Sequence, residues 1–164
     1  MCIAIYKKEG MELTQEALSN CWQRNPDGAG FMYAEGGVVH IVKGLMTFAS
    51  FLEAYEEHKL KQVVLHFRIA THGGVNADNT HPFQVNEGLG MVHNGIITNV
   101  DTPNKDKSDT WHFVERFIKK YFYCWQDEEF QELVESYIGH SKLIFLDGYG
   151  NVKIYKEKLG KWNS

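Results

Sequence analysis

Apolar positions along this chain fall into short blocks whose spacing switches between strand and helix periods. Ile3 to Tyr6 is an apolar run closed by Lys7-Lys8-Glu9-Gly10, which predicts a buried strand with a polar exit. Leu13, Ala17, Leu18, Cys21 and Trp22 share one helical face, with Thr14 placed to cap its start. Asn25-Pro26-Asp27-Gly28 breaks that helix. Phe31 to Ala34 and Val38 to Val42 then flank Glu35-Gly36-Gly37 and predict a hairpin. Phe48, Phe51, Leu52 and Tyr55 repeat at helical spacing, and Gln62 to Phe67 is a β-rich run leading into Arg68-Ile69-Ala70-Thr71-His72-Gly73-Gly74.

The second half repeats this alternation. Val75 to Gln84 reads as a loop, and Leu89 to Val92 as a short strand ending in His93-Asn94-Gly95. Residues 101–109 form a polar connection. Val114, Phe117, Ile118, Tyr121 and Phe122 mark a third helix, and Phe130, Leu133, Val134, Tyr137 and Ile138 a fourth. Leu143 to Leu146 and Val152 to Tyr155 close a second hairpin around Asp147-Gly148-Tyr149-Gly150-Asn151. Hairpin strands interleaved with two pairs of helices favour an antiparallel α+β layered fold over a doubly wound parallel one.

With 164 residues the chain reads as one domain, 1–164, and 43% hydrophobic residues supply a substantial core. A net charge of −4 gives no global attraction to nucleic acid or anionic membrane. No apolar run approaches the ~18 residues of a membrane span. The three cysteines, Cys2, Cys21 and Cys124, match neither a disulfide framework nor a zinc knuckle, and a reducing, cytoplasmic setting is the simpler expectation. His66, His72, His81 and His93 are irregularly spaced with no HExxH helix, so no metal or other cofactor is expected.

Three polar, Gly-containing segments sit at strand ends, where scaffolds carry function. Taken singly, each has a bland reading. Asn94-Gly95 is a common turn dipeptide, Arg68 a surface ion-pair partner, Ser108-Asp109-Thr110 a helix N-cap, and Cys2 a small buried hydrophobe. Position 2 argues for more. Removal of Met1 would leave a thiol and a free α-amine on one residue. The amine titrates near ~7.7–8.0 and the thiol near ~8.5, so the amine can take the thiol's proton directly or through water.

In order, Cys2, Asn25-Pro26-Asp27-Gly28-Ala29-Gly30, His66-Phe67-Arg68-Ile69-Ala70-Thr71-His72-Gly73, Val92-His93-Asn94-Gly95-Ile96-Ile97 and Ser108-Asp109-Thr110 resemble the glutaminase domain of class II glutamine amidotransferases, such as that of glucosamine-6-phosphate synthase. The resemblance runs from residue 2 to about residue 118. It implies the N-terminal-nucleophile hydrolase fold, a four-layer αββα sandwich of two antiparallel sheets. It also implies ammonia release from L-glutamine through a γ-glutamyl thioester on Cys2, with the Cys2 amine as base. By the same resemblance Asn94 and Gly95 form the oxyanion hole, Arg68 holds the glutamine α-carboxylate and Asp109 pairs with the α-ammonium. Thr71, His72 and Gly73 supply polar contacts beside the carboxylate, with His72 positional, while Asn25 and Asp27 read as structural turn residues.

Three positions depart from the family pattern: Ile3 where Gly is frequent, Ile69 where glucosamine-6-phosphate synthase has Trp, and Trp111 where an acidic residue is frequent. None removes a catalytic group. Length is the larger departure, because family enzymes usually fuse this domain to the synthase that consumes the ammonia. The expected partner is therefore a separate synthase subunit. The alternatives are a γ-glutamyl peptide or small-amide hydrolase of the same fold, and a catalytically silent binding or inhibitory protein, which retention of Met1 would favour.

Overall fold

Alternation along one central strand sets the layering of the molecule. In β4 (Val63–Phe67), Val63, Leu65 and Phe67 pack against helices, while Val64 faces the opposite way. The computed structural model describes residues 1–161. β4 lies at the centre of a four-stranded antiparallel sheet with β1 (Ile3–Lys7), β2 (Ala29–Glu35) and β3 (Val38–Leu45), in the order β1-β4-β2-β3. A second four-stranded antiparallel sheet runs β5-β6-β7-β8, from β5 (Phe83–Asn86), β6 (Leu89–Asn94), β7 (Lys142–Asp147) and β8 (Val152–Tyr155).

Three apolar clusters hold these layers together. Leu18 of α1 (Gln15–Arg24) and Phe51 and Tyr55 of α2 (Phe48–Glu56) pack on Phe31, Leu65 and Phe67 of the first sheet. Met32, Val64, Val92, Ile144 and Leu146 form the seam between the sheets. Phe113 and Val114 of α3 (Asp109–Arg116) and Val134 of α4 (Glu128–Tyr137) cover Met91, Leu143 and Phe145 on the far face. Each fully buried Leu, Val or Phe contributes roughly 1.5–3 kcal/mol of transfer free energy. The result is the αββα sandwich expected of N-terminal-nucleophile hydrolases.

The helix caps follow the sequence reading. Thr14 Oγ1 accepts the Ala17 N–H at 3.1 Å, and Ser108 Oγ accepts the Trp111 N–H at 3.1 Å. Elsewhere the structure corrects the expectation. β1 is an edge strand, half-buried along most of its length, because it pairs with β4 alone. Lys7, expected in a polar exit, is buried and satisfied by carbonyls, its Nζ donating to Lys61 O at 2.6 Å and Met11 O at 2.8 Å. β5 occupies the end of the segment read as a loop. The third helix starts earlier than expected, at Asp109, and stops at Arg116. Its apolar spacing is continued by two 3₁₀ turns, Ile118–Lys120 and Phe122–Cys124.

Candidate active site

Antiparallel register brings the first site residues together. Ile3 pairs with Phe67, so the next pair outward puts Cys2 beside the residues that follow β4. There the Cys2 Sγ lies 3.4 Å from both backbone polar atoms of Ile69, accepting from its N–H and facing its carbonyl oxygen as donor. Cys2, Arg68, Ile69, Thr71, His72, His81, His93, Gly95 and residues 108–110 line one small cleft at this end of the sandwich.

Burial pushes the Cys2 thiol above its ordinary pKa. The Ile69 N–H and the Arg68 guanidinium oppose that shift without cancelling it. The resting group is therefore a neutral thiol at neutral pH and needs a base to become a nucleophile. Among the described residues no imidazole or carboxylate hydrogen-bonds the sulfur.

Arg68 is buried at the rim of β4, and its guanidinium donates to His72 O at 3.0 Å and Gly74 O at 3.1 Å. Those bonds use two of its five N–H groups and curl the 72–74 segment around the cation. Main-chain bonds fix the base of this curl: Arg68 N donates to Gly28 O at 2.8 Å and Asp27 N to Arg68 O at 3.0 Å. The Asp27 carboxylate also accepts the Ala70 N–H at 2.8 Å, next to the Cys2–Ile69 contact. Asp27 thus belongs to the framework of the cleft, which its reading as a turn residue did not convey.

Asp109 is the first residue of α3, where the helix N-terminus favours a carboxylate. Its Oδ2 accepts the Ile97 N–H at 2.7 Å, and its Oδ1 is 3.5 Å from the Thr110 hydroxyl. Thr110 Oγ1 shares a 2.7 Å hydrogen bond with His93 Nδ1, and the His93 carbonyl accepts from His66 Nε2 at 3.1 Å. His81 packs on His66 with ring centroids 4.0 Å apart. Burial holds all three imidazoles neutral, His66 at about 3, His93 at about 4 and His81 well below the ordinary range. No group of His, Cys, Asp or Glu among the described residues is arranged to hold a metal ion, and no helix there is long and apolar enough to cross a membrane.

Gly95 follows β6 with φ +145°, and a Cβ there would fall 2.2 Å from Ser141 Oγ. Only glycine fits that backbone. Of the eight residues expected to form the site, Cys2, Arg68, Thr71, His72, Gly95 and Asp109 line the cleft. Asn94 and Gly73 do not. Asn94 ends β6 with its Oδ1 buried and without a hydrogen-bond partner among the described residues. Gly73 lies behind the cleft at φ +72°, where a Cβ would approach Ser108 N to 2.8 Å. The sequence reading gave His81, His93, Ser108 and Thr110 no role in the site. Only the Ser-Asp-Thr block and the histidines' placement at strand ends hinted at one.

Sequence comparison matches this arrangement to one family. Residues 16–125 fit the family model described as glutamine amidotransferases class-II. Relatives include glutamine–fructose-6-phosphate aminotransferases (isomerizing) of Pectobacterium atrosepticum, 33% identical over 99 residues, and of Xylella fastidiosa, 32% identical over 100 residues. The enzyme of the same name from Salmonella paratyphi A is 36% identical over 100 residues. These matches cover 58–60% of this chain but only 16% of each relative, so the chain corresponds to a small part of their length. By its family match and its fold, the chain belongs to the class-II glutamine amidotransferases.

Proposed function

We propose that this domain releases ammonia from the side-chain amide of L-glutamine, with Cys2 as nucleophile once Met1 has been removed. The observation that carries the reading is the convergence of Cys2, Arg68 and Asp109 on one cleft. A thiol, a cation and an anion there match the amide, the α-carboxylate and the α-ammonium of a free amino acid. Arg68 retains N–H groups for a carboxylate, and a planar guanidinium suits that bidentate role. Thr71 and His72 flank it, with Gly73 shaping the loop behind.

The chemistry balances on Cys2 alone. Its α-amine takes the thiol proton, and the sulfur attacks the amide carbon to give a tetrahedral oxyanion. The Gly95 N–H donates to that oxygen, and the Asn94 side-chain NH₂ joins it only once its amide has turned into the cleft; one such donor is worth about 10²–10³ in rate. Collapse breaks the C–N bond, the ammonium returns its proton to the leaving nitrogen, and ammonia departs. Water, deprotonated by the same amine, then hydrolyses the γ-glutamyl thioester to glutamate and free thiol. The ammonia is then free to pass to an acceptor, and a separate synthase subunit is the partner this reading calls for.

Intact mass before and after 6-diazo-5-oxo-norleucine, a glutamine-shaped electrophile, tests the proposal. A species lacking Met1 that gains one adduct, lost in Cys2→Ala together with glutamine hydrolysis, is the expected result. Glutamine turnover by Cys2→Ala would overturn it.

A further inference from the structure

Asn79 stands in the segment that reads as a polar loop, yet its side chain is completely buried. Both amide hydrogens and the amide oxygen are used. Nδ2 donates to Gly74 O at 3.0 Å and to Asp106 O at 2.7 Å, and Oδ1 accepts the Ser108 N–H at 2.9 Å. Asn76 Oδ1 holds the Asn79 backbone N–H at 3.0 Å, which fixes the residue itself. Gly74 O is also the carbonyl that receives the Arg68 guanidinium, so Asn79 and Arg68 meet on one atom.

The other end of this connection is Ser108, which caps α3 and immediately precedes Asp109. A single planar amide therefore joins the 72–74 segment, which grips Arg68, to the 106–108 segment, which delivers Asp109. Gly73 lets the two segments close, since a Cβ there would sit 2.9 Å from Asn79 Nδ2 and 2.8 Å from Ser108 N. Gly74 N adds a weaker main-chain contact to Asp106 O at 3.4 Å.

We infer that Asn79 is a positioning residue that sets the spacing between Arg68 and Asp109 and thereby the preference of the cleft for a free amino-acid zwitterion. The inference rests on the glutaminase reading above. Asn79 touches neither the thiol nor the expected oxyanion donors, so its effect falls on recognition of the two charged ends and leaves the reactivity of Cys2 alone. Small displacements of positioning groups have large effects, with about 1 Å costing up to about 10²-fold.

The test uses Asn79→Asp, which keeps the shape but turns a carboxylate oxygen toward Gly74 O and Asp106 O. Asn79→Ser serves if the first variant does not fold. Three rates are compared with the unsubstituted protein: glutamine hydrolysis, inactivation by 6-diazo-5-oxo-norleucine, and alkylation of Cys2 by iodoacetamide, which carries no zwitterion. The expected result is a KM for glutamine raised about 10- to 100-fold with kcat within about 3-fold. Inactivation by the glutamine analogue slows in parallel, and iodoacetamide alkylation is unchanged. An unchanged KM would overturn the inference. So would equal slowing of both electrophiles, which would make Asn79 a support of the nucleophile or the fold. If the unsubstituted protein reacts with iodoacetamide at Cys2 but neither hydrolyses glutamine nor takes the analogue, the glutaminase reading itself fails and the inference falls with it.

Discussion

The thiol of Cys2 is held by the backbone of Ile69, with N–H and carbonyl each 3.4 Å from the sulfur, and not by the Ile69 side chain. The departure from the family pattern at Ile69 therefore leaves the immediate environment of the nucleophile intact. Burial still dominates and pushes the thiol up. A raised thiol pKa means a smaller thiolate fraction at neutral pH than a free cysteine has. In protein retaining Met1, alkylation of Cys2 by iodoacetamide is expected to rise with pH to a midpoint above that of a model cysteine peptide. Ile69→Ala should shift neither the midpoint nor the rate by more than about 2-fold, since backbone contacts survive the change. A midpoint below the peptide's would contradict the electrostatic account.

Gly95 tolerates no side chain. At φ +145°, with Ser141 Oγ 2.2 Å from the position of a Cβ and Ser141 Cα at 2.8 Å, Gly95→Ala must displace the start of β7 or the end of β6. A loss of about 2–4 kcal/mol is expected from strain and overpacking together. For a domain of this size that corresponds to a fall in melting temperature of roughly 4–16 °C. Ser141→Gly would not restore it, because the Ser141 backbone is itself too close. Thermal denaturation of the single and double variants checks both statements.

The three buried imidazoles make the fold sensitive to acid. His66, His81 and His93 have folded-state pKa values depressed well below 6.5, with burial as the main cause and, around them, Arg68, Lys43 and Lys142 opposing protonation. A depressed pKa stabilises the folded state above the unfolded value of about 6.5 and withdraws that stability as pH falls toward the folded values. Melting temperature should therefore drop between about pH 6.5 and 4. His81→Leu, which gives up no hydrogen bond seen among the described residues, should flatten the curve. An unchanged slope in that variant would remove His81 from the explanation.

Much of this architecture is legible in the pattern of apolar positions, and the exceptions have physical causes. β4 and β6 announce themselves as apolar runs because both faces of each strand are covered. β5 does not, because only Phe83 and Val85 point inward across four residues while Gln84 is exposed. The third helix is misplaced because Phe117, Ile118 and Tyr121 keep an apolar spacing through 3₁₀ turns, and spacing alone does not separate these from an α-helix. At the site, residue types that carry chemistry were readable through family resemblance. Asn79 and Asp27 were not, because their importance lies in which backbone groups fold back onto them. Asn94 illustrates the reverse: its place in a motif predicts a role, yet its side chain does not line the cleft.

The Arg68 guanidinium is anchored by its own chain, on the His72 and Gly74 carbonyls. It has little rotamer freedom left to lose when a carboxylate docks, so the ordering cost of recognition falls on the ligand and not on the protein.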